Sequence, residues 1–221
     1  MTMRPLSEFP ADARRAVRFM LCDIDDTITD HGRLPAASLA AMERLQAADI
    51  RVLPITGRPA GWCDHIARMW PVDAVVGENG AFYFRYDRDQ RRMIRRFDQP
   101  DAVRAENRKK LESLKDRILD GVPGSAIASD QPYRETDLAI DFCEDVPRLP
   151  KADVDRIVAL FEDAGATAKI SSILRTARGL DFRSGTRAQL ASASFTIAST
   201  SGANFTRADL LLGVTCVTTP S

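Results

Sequence analysis

The run Leu21-Cys22-Asp23-Ile24-Asp25-Asp26-Thr27-Ile28-Thr29 sets two carboxylates, Asp23 and Asp25, one residue apart where an apolar stretch ends. That spacing suits phosphoryl transfer. One carboxylate attacks phosphorus in line, a second reaches the leaving oxygen as general acid, and a divalent cation neutralises charge between nucleophile and phosphate. A continued strand would put both side chains on the same face, whereas a bend would let the first carboxylate and the next backbone carbonyl meet one metal. The competing reading is a pair of solvated strand-end aspartates. A calcium loop of the EF-hand kind is set aside, because Ile28 and Leu34 stand where it needs Gly and Glu.

Ile55-Thr56-Gly57-Arg58-Pro59 supplies a second element. A hydroxyl and neighbouring backbone N–H groups at a strand-to-helix junction can cradle phosphate oxygens, and Gly57 lets the main chain come close. Taken alone, Thr56 reads as a helix cap before Pro59. Its pairing with Asp23 favours the cradle.

These residues need a scaffold that brings loop ends together. Val17–Cys22 and residues 50–55 are short apolar runs with the character of buried parallel strands, and residues 35–48 carry Leu39, Met42 and Leu45 at helical spacing after Pro35. Strand, helix, strand forms a right-handed crossover, and active sites in such sheets lie at the strands' carboxyl ends. A helix over 61–69 and a strand over 72–76 extend the pattern as far as Gly77 and Gly80. From Ala81 the pattern alternates: Phe82, Phe84 and Tyr86, then Met93, Ile94 and Phe97, predict a hairpin in a different sheet. A long helix marked by Val103, Leu111, Leu114 and Ile118 should stop near Gly121 and Pro123. A strand over 138–142, a helix over 152–164 with Val154, Ile157, Val158 and Phe161 inward, and a strand over 167–174 complete an α+β lobe. Strands are also expected at 195–197 and 210–217, with no convincing helix between them.

Asp23 to Thr27 (DIDDT), the ITGRP run around Thr56 and the GENGA run from Gly77 to Ala81 together resemble the haloacid dehalogenase superfamily, and within it the type IIB, C2-capped branch that includes sugar-phosphate phosphatases. The resemblance covers roughly residues 17–175. It implies an α/β fold with a Rossmannoid parallel-sheet core in residues 1–83 and 183–221 and an inserted α+β cap domain in residues 84–182. It further implies Asp23 as nucleophile, Asp25 as acid/base and Thr56 as phosphate ligand, with Mg²⁺ held by the Asp23 carboxylate and the Asp25 carbonyl. Arg58, Glu78 and Asn79 would line the cavity under the cap, with Gly57 and Gly80 as further substrate-binding candidates; apart from the resemblance, Arg134, Glu135 and Asp137 read either as substrate-selecting residues or as ordinary strand-edge salt bridges. The partner would be a small phosphorylated metabolite.

The same family supplies a lysine against the phosphate and a Gly-Asp pair, followed by another Asp, that completes the magnesium shell. That pattern is missing. Asp181 and Asp209 are isolated, and Lys169 is the only lysine after Lys151. Arg175, Arg178 or Arg187 could replace charge, although arginine offers a fork where lysine offers a point charge. Two explanations stand: a degenerate member that binds phosphorylated ligands without turnover, or a shift of reading frame near Leu174. The abrupt enrichment in serine, threonine, alanine and arginine beyond that point favours the second.

Across the chain, 31 basic residues balance 31 acidic ones, so no overall field draws it to nucleic acid or an anionic membrane. The arginines of the hairpin, Arg85, Arg88, Arg91, Arg92, Arg95 and Arg96, alternate with aspartates and read as a solvated face. His31 and His65 lack partners at metal-ligand spacing, and Trp62 and Trp70 read as core. Cys22, Cys63, Cys143 and Cys216 are far apart, which fits a reducing cytoplasm, and neither a signal segment nor a membrane span is legible.

Overall fold

The computed structural model describes residues 8–170, 180–183 and 214–218. After a short helix, α1 (Ala11–Ala16), β1 (Val17–Cys22) runs parallel to β2 (Arg51–Pro54), with Phe19 beside Arg51 and Cys22 beside Pro54. The crossover between them is α2 (Ala36–Ala47). Continuous apolar runs are what a sheet covered on both faces requires. Phe19, Leu21, Leu53 and Ala74 pack on one side, while Cys22, Val52 and Met42 join the main core on the other. Next, α3 (Ala60–Met69) turns Ala60, Cys63, Ile66 and Ala67 inward, and β3 (Val75–Gly77) is joined to β2 by a parallel bridge between Ile55 and Val76.

The alternating segment forms β4 (Phe82–Asp87) and β5 (Arg92–Phe97), paired antiparallel, with Phe84 opposite Val75 and Phe82 opposite Gly77. The hairpin therefore extends β3, and its aromatic face packs into the same core as Cys22 and Val52. Period-2 alternation explains this: Phe82 and Phe84 share a face, their ring centroids 4.4 Å apart, and Phe97 closes over both. The change of periodicity at Ala81 marks a change of strand pairing, and the first core continues through Phe97.

Gly77 leaves no room for a side chain. A Cβ there would lie 2.3 Å from the Phe82 ring and 2.6 Å from Cys63 Sγ, and both side chains are buried. Neither can retreat. Gly77→Ala is expected to destabilise the protein by about 1–3 kcal/mol, the usual cost of overpacking, seen as a lower urea midpoint at unchanged slope.

The rest of the described chain builds a second layer. α4 (Asp101–Gly121) and α5 (Lys151–Asp163) pack on an antiparallel sheet of order β6-β7-β9-β8, whose strands are β6 (Ala126–Ile127), β7 (Asp137–Asp141), β8 (Thr167–Ile170) and β9 (Leu180–Arg183). Leu111, Leu114 and Ile118 of α4 meet Val154, Ile157 and Phe161 of α5 in one cluster with Leu138 and Ile140. Val103 is exposed, so the buried stripe of α4 begins further along than the sequence suggests.

Finally, β10 (Val214–Thr218) lies antiparallel beside β1, close to the strand expected over 210–217. The strand expected at 195–197, together with Arg175, Arg178, Arg187 and Asp209, falls outside the described residues, and of Asp181 only the backbone is described. Among the described residues no helix is long and apolar enough to cross a membrane.

Candidate active site

The parallel register carries β1 and β2 to the same level, and the Ile55 N–H donates to the Cys22 carbonyl at 2.8 Å. Asp23 and Thr56 consequently leave neighbouring strand ends. The chain bends at once after β1: the Ile24 carbonyl gathers the N–H groups of Thr27, Ile28 and Thr29 and the Thr29 hydroxyl, at 2.9–3.3 Å. Ile24 and Ile28 anchor the bend in the core, and Asp26 takes a positive φ of 55° to complete it. The bent alternative is the one realised. The exposed Asp23 carboxylate accepts from the Ile24 N–H at 2.7 Å.

Asp25 is held differently. Its carboxylate accepts a forked pair from Arg58, Nε at 3.1 Å and Nη2 at 2.5 Å, with the two side chains only 15% and 8% exposed. Such a fork matches carboxylate geometry and fixes its plane. Behind the guanidinium lies Trp62, its ring centroid 4.6 Å away. Trp62 is 47% exposed, which corrects its reading as core: the inward stripe of α3 runs through Cys63, Ile66 and Ala67 and leaves position 62 beside the site. Trp70 does pack against the core.

The Thr56 loop is buried and tied at successive atoms. Thr56 Oγ1 accepts from the Arg58 N–H at 3.1 Å, while the helix cap is Pro59, so the threonine does not cap α3. The Asn79 N–H donates to the Thr56 carbonyl at 2.9 Å and the Glu78 N–H to the Arg58 carbonyl at 3.1 Å. Glu78 and Asn79 both sit at positive φ, 43° and 57°, and Gly80 follows at 98°. This turn touches the Thr56 loop through its main chain.

Two residues expected to face a ligand lie elsewhere. Glu78 is fully buried, and its carboxylate accepts from Ala60 N–H (3.1 Å), Glu135 N–H (2.8 Å), Thr136 N–H (2.6 Å) and the Thr136 hydroxyl. Arg134 is likewise buried, forked onto Asp130 and bonded to Asp137 at 3.0 Å, with Nη1 3.3 Å from the Gly57 carbonyl. A buried charge requires such partners, and here they come from within the chain. His31 and His65 are exposed, as are the hairpin arginines.

Burial, and then the neighbouring Asp23 charge, push the Cys22 thiol up to about 12, and burial also raises Cys63. Both stay protonated at neutral pH and offer no nucleophile. Asp64 is held below its usual range, chiefly by its bond from Arg68 and also by Arg95, which bridges to Glu135. A depressed carboxylate stabilises the fold above its unfolded pKa and loses that contribution as pH falls through the folded value. Asp64→Asn should therefore lower Tm at pH 7, and the gap from wild type should close below about pH 4, as a thermal melt series would read.

Residues 20–108 match the family model of haloacid dehalogenase-like hydrolases. This segment is similar to that family. It runs from within β1 through β5 and holds every strand-end residue just described. No curated protein matches the chain. Among solved structures, a Thermoplasma acidophilum protein is similar over 77% of this chain at 16% identity and a TM-score of 0.55, and the chain spans 65% of that protein's length. A Bacteroides thetaiotaomicron phosphatase of the haloalkanoate superfamily aligns over 83% of this chain and 71% of its own at 15% identity, TM-score 0.47. At these identities the first likeness speaks for the fold alone.

Within the haloacid dehalogenase-like segment, the strand-end positions of Asp23, Asp25 and Thr56 are legible in the sequence, whereas the grip of Arg58 on Asp25 and the burial of Glu78 are not. Among the described residues no group of three or more His, Cys, Asp and Glu side chains comes together to hold a metal.

Proposed function

We propose that the chain is a Mg²⁺-dependent phosphatase that hydrolyses a small phosphorylated metabolite, a sugar phosphate being the favoured class, through an aspartyl-phosphate on Asp23. The observation that carries this reading is the Asp25–Arg58 fork beside the strand ends that present Asp23 and Thr56. Asp23 attacks phosphorus as the bond to the leaving oxygen breaks, and Asp25 gives that oxygen its proton. Asp25 then takes a proton from water as the water attacks the aspartyl-phosphate, which releases inorganic phosphate and restores Asp23. The Thr56 hydroxyl and the loop N–H groups receive the phosphate oxygens.

The donor set suits magnesium: a carboxylate and a carbonyl are hard oxygen ligands, and this ion keeps several waters. The Asp23 carboxylate and the Asp25 carbonyl would hold it, and when bound it would neutralise phosphate charge. Residues 84–182 are proposed to include the cap that selects substrate, with the hairpin packed in the core as its stem and the second sheet as its body. The dispersed cysteines fit a cytoplasmic site of action. A second reading, a remnant that binds phosphorylated ligands without turnover, is favoured by the missing lysine and Gly-Asp pair.

The test is release of p-nitrophenol from p-nitrophenyl phosphate. Release that needs magnesium and stops with EDTA supports the phosphatase. A folded chain that binds inorganic phosphate yet releases nothing supports the remnant.

A further inference from the structure

Every carbonyl of the Thr56–Arg58 stretch is turned to one set of partners: Thr56 to the Asn79 N–H, Gly57 to Arg134 and Arg58 to the Glu78 N–H. A trans peptide points its N–H opposite to its carbonyl. Fixing the Thr56 and Gly57 carbonyls therefore aims the N–H groups of Gly57 and Arg58 the other way, and the second of these reaches Thr56 Oγ1. The residues that hold the carbonyls are themselves clamped from the second layer. Glu78 takes three hydrogen bonds from Glu135 and Thr136 while also holding the Ala60 N–H at the start of α3. Arg134, next to them, is locked by Asp130 and Asp137.

We propose that Glu78 and Arg134 are positioning residues for phosphate binding: through the 130–137 segment they fix the direction of the Gly57 and Arg58 amides. This rests on the phosphatase reading of the same loop. It assigns the 130–137 segment a part in the site without contact to substrate, so that the second layer influences the phosphate loop as well as any substrate contact it makes. The carboxylate of Glu78 accepts four donors, more than a neutral amide oxygen can satisfy, which makes its charge part of the clamp.

Inorganic phosphate is the probe, titrated into ¹⁵N-labelled protein with the Gly57 and Arg58 amide signals followed beside the thermal midpoint. In wild type both signals should move on saturation. Glu78→Gln should weaken phosphate binding about tenfold or more, as loss of a charge-assisted bond does, and should shift both amides in the phosphate-free protein. Thr136→Val, which removes only a hydroxyl, should give a smaller change of the same sign, and Thr136→Ser should recover most of it. If Glu78→Gln does not fold, the Thr136 pair decides alone. Folded variants whose phosphate affinity and amide positions match wild type overturn the proposal and leave the phosphatase reading intact. A wild-type chain whose Gly57 amide ignores phosphate overturns both.

Discussion

Asp23→Asn is expected to reduce magnesium-dependent p-nitrophenyl phosphate turnover by about 10⁴-fold or more, because an amide cannot serve as the attacking carboxylate. The fold should be indifferent. Asp23 is exposed at the end of β1, and an isosteric change at such a position normally stays within about 0.5 kcal/mol. Phosphate transferred from labelled substrate should remain on the wild-type protein after denaturation and be absent from the variant. Turnover by Asp23→Asn within tenfold of wild type would remove Asp23 from the mechanism, whatever else in the fold stood.

The second large effect belongs to Arg58. Its fork onto Asp25 is shielded by the protein and by the Trp62 ring, so truncation leaves a carboxylate with little water and no partner. Arg58→Met should cost about 2–4 kcal/mol of stability, near the lower end for a broken buried pair because Asp25 retains some exposure. It should also slow turnover by about 10²-fold, a modest share of what a general acid supplies, since the acid remains but is no longer oriented. Arg58→Lys restores charge without the fork and should recover stability better than rate. In an Asp25→Asn background the Arg58 change should cost far less. Additive effects in that double-mutant cycle would show that Arg58 does not act through Asp25.

The strand and helix positions of the first core were legible because each element buries a face with its own period. Val17–Cys22 is continuous and apolar, α3 repeats inward residues at Cys63, Ile66 and Ala67, and the hairpin alternates. Period reports which face is apolar, though, and says nothing about which partner covers it. The alternation of Phe82 and Phe84 predicts a sheet apart from β1 and β2, and β4 and β5 do lie in a sheet with β3, while only the tertiary packing shows these rings joining the core that Cys22 and Val52 build. Trp62 differs from its sequence expectation for a related reason: bulk alone does not place a residue on a helix's buried face, and position 62 falls beside the stripe of Cys63, Ile66 and Ala67.

The site divides in the same way. The chemistry on offer, a carboxylate pair one residue apart and a Thr-Gly turn at a second strand end, is written locally, because spacing and an apolar run fix where a strand stops and what emerges from it. Packing brings Arg58 to Asp25 across 33 positions, Glu78 to the Glu135 N–H across 57 and Arg134 to the Gly57 carbonyl across 77. A buried charge must be neutralised by whatever the fold brings within about 3 Å. Which charged side chain that will be is set by packing, and no local pattern records it.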